Sequence, residues 1–299
     1  MKFWDWIKSN FERGSVLTRL IYINLGLFII IRILMGIIIL AGGNADVILN
    51  WLAMPADFTK LITRPWTAIT YMFLHYHFFH ILFNLIALYW FGRIFTRFLT
   101  ANNLLSVYVL GGLSGAAVYS AAYNIFPFLM ADKSAAMVLG ASASIYAVLV
   151  AVAFIVPNYE IYIPFISRVK IKWLAIAFIV LDLISLPAGQ NMGGHIAHLG
   201  GALFGYAYAS QHKQGNDLTR WFEKWLTSLE SLFKRKSRMH VSYKNTSRKG
   251  RAETDMEYNA RKKAEQDEIN RILDKVSTSG YGSLTKREKE ILFKSSSKR

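Results

Sequence analysis

The chain has 299 residues, 53% of them hydrophobic, with a mean hydropathy of +0.27 and a formal net charge of +16. So apolar a composition is not that of an ordinary soluble domain unless several segments lie in lipid. The absence of cysteine excludes disulfides, thiolate zinc sites and a cysteine nucleophile, so any chemistry must come from oxygen and nitrogen groups.

Residues 1–14 place Phe3, Trp4, Trp6, Ile7 and Phe11 among Lys2, Lys8 and Glu12, the pattern of a helix lying on the inner leaflet. Six apolar stretches follow, at about 17 to 41, 78 to 98, 104 to 126, 138 to 157, 169 to 187 and 193 to 211. Each approaches the roughly 20 residues that a helix needs to cross a hydrocarbon core. The first is too long for the apolar region of a cleaved signal and is expected to stay as an anchor. It also carries Arg32, which has to snorkel, find a polar partner or serve a function the sequence does not reveal.

Basic residues near the span ends set the orientation. Lys2, Lys8, Arg13 and Arg19 precede the first span, Arg93 and Arg97 end the second, and Arg168, Lys170 and Lys172 precede the fifth. These ends are expected to share the cytoplasmic side. Residues 212–299 hold 22 Lys and Arg against 12 Asp and Glu, net +10 of the total, which agrees. The expected fold is therefore an all-α polytopic membrane protein with six spans, N-in and C-in.

That topology gathers three polar clusters at one membrane depth, because spans 2, 4 and 6 all enter from outside. The clusters are His75, His77, His80 and Asn84; then Gly140-Ala141-Ser142-Ala143-Ser144; then His195 and His198. His80 and Asn84 share a helix face at i and i+4, as do Ser142 and Tyr146. Serine in a membrane helix usually bonds backbone or a neighbouring helix, and that reading stays open for Ser142 and Ser144. Histidines inside a span more often mark a water-filled cavity. The five histidines offer imidazole to a metal, but no His-Glu-x-x-His helix supplies a metal-bound water with its base, and neither metal nor cofactor is expected. Asp182 in span 5 is the exception to the scarcity of carboxylates in the outer half; helix packing or pore lining is favoured for it over ligation or a third catalytic role. Gly111, Gly112 and Gly115 in span 3 and Gly200, Gly201 and Gly205 in span 6 read as close-packing positions.

Beyond the spans, Leu218, Trp221, Phe222, Trp225, Leu229 and Phe233 form a helical stripe ahead of basic Lys234-Arg235-Lys236. Residues 212–236 are thus an amphipathic juxtamembrane segment, read either as meeting anionic lipid headgroups or as a solvated charged tail. Residues 237–266 read as a flexible linker, and residues 267–299 as a small module of two short helices, with Ser283 and Thr285 as capping residues for the second. The tail mixes acids with bases and has no nucleic-acid reader motif, so no nucleic-acid partner is expected.

Three motifs in order resemble the rhomboid intramembrane serine proteases: His75-Tyr-His-Phe-Phe-His80-Ile-Leu-Phe-Asn84, Gly140-Ala-Ser142 followed by Tyr146, and Ala197-His198-Leu-Gly-Gly201-x-x-x-Gly205. The resemblance covers roughly residues 15–211, the expected six-helix membrane domain. It implies Ser142 as nucleophile, His198 as general base in a Ser-His dyad, His80 and Asn84 as oxyanion stabilisers with the Ser142 backbone N–H, and Tyr146 as the ring that positions the base. His75 is read as structural. His195, three residues before His198, is the competing base. Two departures stand out: Ala143 where many relatives have glycine, which could crowd the oxyanion site, and Thr67 after Trp66 where an arginine is common. The function implied is an intramembrane endopeptidase cutting transmembrane protein substrates near the outer face through an acyl-enzyme, with a bacterial inner membrane as the expected location. An inactive rhomboid-like protein that binds membrane clients is the alternative. A channel or transporter would need polar groups through the whole depth or internal repeats, and neither is evident. The oligomeric state is not legible.

Overall fold

The computed structural model describes residues 3–163, 167–189, 191–233 and 254–296. They fall into two compact units, residues 1–235 and 236–299. In the first unit the helices are α1 (Phe3–Arg13), α2 (Val16–Leu40), α3 (Asp46–Leu52), α4 (Phe58–Thr63), α5 (Thr67–Thr70), α6 (Phe78–Phe98), α7 (Ala101–Ile125), α8 (Pro127–Met130), α9 (Ser142–Ile155), α10 (Ile171–Ser185), α11 (Met192–Lys213) and α12 (Arg220–Phe233). In the second they are α13 (Asp255–Ser279) and α14 (Lys286–Ser296).

All six expected apolar stretches are helical, with ends within about four residues of those read from hydropathy. Among the described residues, α2, α6 and α7 are long and apolar enough to cross a membrane. By contrast α9 has 14 residues and α10 has 15. At 1.5 Å per residue α9 is only about 21 Å long, against roughly 37 Å for the 25-residue α7. Hydropathy overstated these two because the apolar runs continue into non-helical chain: Met137–Val138 is a two-residue strand, β2, paired antiparallel with β1 (Met54–Pro55). A second hairpin, β3 (Glu160–Ile163) with β4 (Ser167–Lys170), joins α9 to α10.

Burial orders the helices. Ten of the 14 residues of α9 are buried, from Ala143 to Ala153, so it is the centre of the unit. Much of α2, by contrast, is exposed, including Ile29, Ile30, Ile33, Ile37 and Leu40, which is what lipid as solvent permits. Polar contacts tie α2 and α7 to the segment ahead of α6. Buried Asn24 donates to the Tyr108 hydroxyl at 3.3 Å, Tyr108 donates to the Met72 carbonyl at 3.2 Å, and Tyr71 donates to the Gly112 carbonyl at 2.6 Å. Arg19 donates to the Phe11 and Glu12 carbonyls, fastening α1 to α2. The side chains of Phe3, Trp4, Trp6 and Ile7, and Lys2 altogether, lie outside the described residues.

The tryptophan ahead of α5 has a visible structural role. Trp66 stacks on Trp51 at 5.7 Å and donates its indole N–H to the Trp51 carbonyl, while the Arg64 guanidinium covers the Trp51 ring at 4.8 Å. Thr67 is buried and donates to the Arg64 carbonyl, so the threonine closes this turn locally. Arg32 finds the Tyr76 ring at 5.5 Å. On the other side of the unit, α12 is held by Asn103, whose amide donates to Glu223 at 2.8 Å. Within its stripe Phe222 is buried, whereas Trp221 and Trp225 stay exposed.

The tail corrects one expectation. Residues 255–266, assigned to the linker, form the first turns of α13, because Thr254 and Glu257 close a reciprocal capping box ahead of a run rich in Ala, Arg, Lys, Glu and Gln. The remaining linker residues 237–253, and the basic run Lys234–Lys236, lie outside the described residues. Gly280, at φ +73°, ends α13. Thr285 caps α14: its backbone N–H donates to Glu288 at 2.7 Å, and the Glu288 N–H donates back to Oγ1 at 3.4 Å. Ser283 instead donates to the Gly280 carbonyl.

The Thr285 N–H bond, then the Lys275 ammonium at 3.0 Å, holds the Glu288 carboxyl down to about 2 from an ordinary 4.5. A depressed acid stabilises the fold fully above its ordinary value and loses that contribution as pH falls toward the depressed one. In the full-length protein, amide resonances of residues 285–292 are expected to shift between pH 4.5 and 2, and to lose that transition in Glu288→Gln.

Candidate active site

Ser142 is the first residue of the short central helix α9. The turn before it is fixed by backbone bonds: Gly140 N–H donates to the Tyr71 carbonyl at 2.8 Å and Ala141 N–H donates to His75 Nε2 at 3.3 Å. Gly140 has φ +123°, and a Cβ there would lie 2.8 Å from His80 Nε2, so both conformation and space demand glycine. His75 is buried and braces this turn, in keeping with a structural role. His80 lies edge-on to it at 5.1 Å.

Helix α11 approaches α9 and α7 through its glycines. Gly201 rests on the Ala143 backbone, Gly205 on the Ala147 backbone, and Gly200 on Gly115 and Ser114 of α7. Ser114 adds a hydroxyl bond to the Gly200 carbonyl at 2.8 Å. This contact sets His198 beside Ser142, with His198 Nε2 and Ser142 Oγ 2.7 Å apart. The Tyr146 ring, one turn after Ser142, stacks on the His198 imidazole at 4.4 Å and 13°.

A cavity of about 310 Å³ opens beside these groups, bounded by His80, Asn84, Ser142, Tyr146, Phe178 and His198. All five residues inferred from the sequence therefore share one cavity. Asn84 donates one amide N–H to the His80 carbonyl at 2.7 Å, and the amide keeps a second N–H. Ser144 is fully buried against Gly112 and does not line the cavity. The Ala143 methyl faces Gly115 of α7. It does not line the cavity.

Asp182, expected to pack helices or line a pore, ties α10 to α11: its Oδ1 meets His195 Nδ1 at 2.6 Å and His198 Nδ1 at 3.1 Å. His195, weighed as a competing base, makes no hydrogen bond to Ser142 and binds this carboxylate. Asp182 lies near the C-terminal end of α10, and both histidines lie in the first two turns of the α11 that follows. Among the described residues, Asp182, His195 and His198 are also the group whose ligand atoms lie close enough together, within 4.8 Å, to hold a metal; His75, His77 and His80 are not in it. Zinc at about 2.0 Å from each ligand would separate them by roughly 3.3 Å. The 2.6 Å contact is that of a hydrogen bond to a shared oxygen.

The fold and cavity are those of a multi-pass membrane protein with a serine and a histidine in hydrogen-bond contact. The rhomboid domain model matches residues 63–212, half of the chain, and the chain belongs to the rhomboid family. A second model, of a family of unknown function, matches residues 252–298. The chain is 28% identical over 205 residues to "RHOMBOID-like protein 12, mitochondrial" of Arabidopsis thaliana, covering 66% of this chain and 58% of that protein. It is 32% identical over 149 residues to "Presenilin-associated rhomboid-like protein A, mitochondrial" of Danio rerio, covering 49% and 37%. The chain thus spans less than two thirds of the length of either relative. Both are named as mitochondrial, so the expected bacterial inner membrane is not borne out; a multi-pass membrane location stands.

Proposed function

We propose that this chain is an intramembrane serine endopeptidase acting on transmembrane protein substrates. The observation that carries the reading is the 2.7 Å contact between Ser142 Oγ and His198 Nε2 at the wall of a cavity that also presents His80 and Asn84. The neutral imidazole takes the Ser142 proton as Oγ attacks the scissile carbonyl carbon. The oxyanion of the tetrahedral intermediate develops near the Ser142 backbone N–H, His80 and the second amide N–H of Asn84. Collapse breaks the C–N bond, the leaving amine takes the proton from Nε2, and water hydrolyses the acyl-enzyme by the same steps in reverse.

The accompanying topology is six crossings by α2, α6, α7, α9, α10 and α11, with both termini cytoplasmic and the serine nearer the outer face. Residues 1–14 and 212–236 then lie at the inner leaflet against lipid headgroups, and the chain requires no metal or cofactor. An extended substrate segment with small or helix-weakening residues fits, because its carbonyl must reach Ser142.

A fluorophosphonate probe and a panel of single-span substrates in liposomes test this. Labelling mapped to Ser142, retained in Ser144→Ala and His195→Ala and accompanied by substrate cleavage, is the expected result. A protein that neither takes the probe nor cuts any substrate would leave the client-binding function in its place.

A further inference from the structure

We infer that the cavity between the end of α2 and the start of α6 binds the headgroup of a phosphatidylethanolamine, with Arg32 on its phosphodiester and Asp46 on its ammonium. None of the residues bounding this cavity bounds the one at Ser142, so the site does not depend on the peptidase reading.

Arg32 lies in the body of α2, a 25-residue helix long and apolar enough to cross a membrane. At 1.5 Å per residue it stands about 12 Å below Leu40. Such a helix, roughly 37 Å long, exceeds a hydrocarbon core of about 30 Å by only a few ångströms at each end. The backbone at Arg32 is therefore inside the core, where a charge without a partner is costly. Among the described residues its guanidinium makes no hydrogen bond and no ion pair; what it meets is the Tyr76 ring at 5.5 Å, just ahead of α6. The ring holds the cation near the end of α6 and leaves its N–H groups free to donate.

The opposite charge comes from the turn after α2. Gly42, at φ +78°, and Gly43 donate their N–H groups back to the Ile39 and Ile38 carbonyls at 3.0 and 2.8 Å, and the chain reverses. Asn44 then accepts the Asp46 N–H at 2.8 Å. The Asp46 carboxylate, like Arg32, is exposed and has no hydrogen bond or ion pair among the described residues. Both line one cavity of about 570 Å³, with Met35, Ile39, Asn44 and Tyr76. Opposite charges that share a cavity without meeting leave room for a ligand that carries both. A guanidinium suits a phosphodiester and a carboxylate suits a primary ammonium, which donates hydrogen bonds that a trimethylammonium cannot. Below Arg32, Ile29 and Leu25 are exposed on the same helix face and offer a path for an acyl chain.

The test uses full-length protein, delipidated in detergent and titrated with phosphatidylethanolamine, phosphatidylcholine or phosphatidylglycerol, with bound lipid counted by native mass spectrometry. Wild type is expected to hold one phosphatidylethanolamine about 10-fold more tightly than either of the others, as one charge-assisted hydrogen bond allows. Arg32→Gln should weaken all three by about 10-fold to 10²-fold. Asp46→Asn should keep the lipid but bring phosphatidylethanolamine down to the level of phosphatidylcholine.

Equal wild-type affinity for the three lipids, the behaviour of a general lipid annulus, would overturn the inference, as would unchanged binding in Arg32→Gln. Glycerophosphoethanolamine binding as tightly as the lipid would make the ligand a soluble zwitterion and overturn it too. Should Arg32→Gln fail to fold, the ratio of phosphatidylethanolamine to phosphatidylcholine affinity in Asp46→Asn decides: a ratio unchanged from wild type rejects the site.

Discussion

Ser142→Ala and His198→Ala are each expected to lower kcat by about 10⁴-fold or more, and the double variant is expected to lose no more than the worse of the two. Groups that move one proton act as a unit, so removing either disables both, and the surviving rate comes from the oxyanion donors and substrate binding. The 2.7 Å contact between Oγ and Nε2 places the two in that single unit. Rates are measured on one cleavable single-span substrate, with product ends mapped by mass spectrometry. Additive losses would mean that Ser142 and His198 act in separate steps, and would remove the dyad from the mechanism.

Stability should move very differently from rate in these variants. The Ser142 hydroxyl lines an open cavity, so deleting it creates no new void, whereas the His198 ring is stacked on Tyr146 and bonded to Asp182. The unfolding temperature of Ser142→Ala in detergent is accordingly expected to stay close to that of wild type, which separates a chemical effect from a structural one.

Much of this site could be read from the chain because its parts are local in sequence. His80 with Asn84 and Ser142 with Tyr146 are pairs one helical turn apart, and His198 is placed by the glycines that follow it. Asp182 was not legible in the same way. It stands 13 and 16 residues from its two histidines, across the turn between two helices. No fixed spacing joins a residue to partners on the next helix; only the requirement that a carboxylate in an apolar span find a partner pointed there, together with a shared depth. The tail shows the reverse failure. Residues 255–266 were read as linker from their polarity, although the Thr254-x-x-Glu257 signature and strong helix formers were present. A charged helix that buries little looks like coil to any argument from hydropathy. The hidden part of the fold was the length of α9. Hydropathy cannot see where an apolar segment stops being helical, and the two-residue ladder between Met54–Pro55 and Met137–Val138 carries no pattern of its own.

Gly201→Ala is expected to cost more than any other single-methyl change in the membrane unit. A Cβ at residue 201 would land on the carbonyl oxygen of Ala143, with the Ala143 carbonyl carbon only 2.8 Å away. These are backbone atoms of the central helix and cannot rotate aside, so α11 must move off α9. Overpacking of this kind costs about 1–3 kcal/mol where side chains can yield, and backbone opposition puts Gly201→Ala at the upper end or above. The same displacement carries His198 away from Ser142, because His198 sits one turn before Gly201. A shift of about 1 Å at a reacting pair costs about 10²-fold in rate. Thermal unfolding and cleavage rate should therefore fall together in Gly201→Ala, and again in Gly205→Ala, whose added methyl would meet the Ala147 carbonyl. Gly26→Ala and Gly36→Ala on α2 are the matched controls: nothing lies within 4 Å of a Cβ at either, so both should fold and cleave as wild type. Gly201→Ala with unaltered stability and rate would mean that α11 does not need backbone contact with α9, and that the glycines do not position the base.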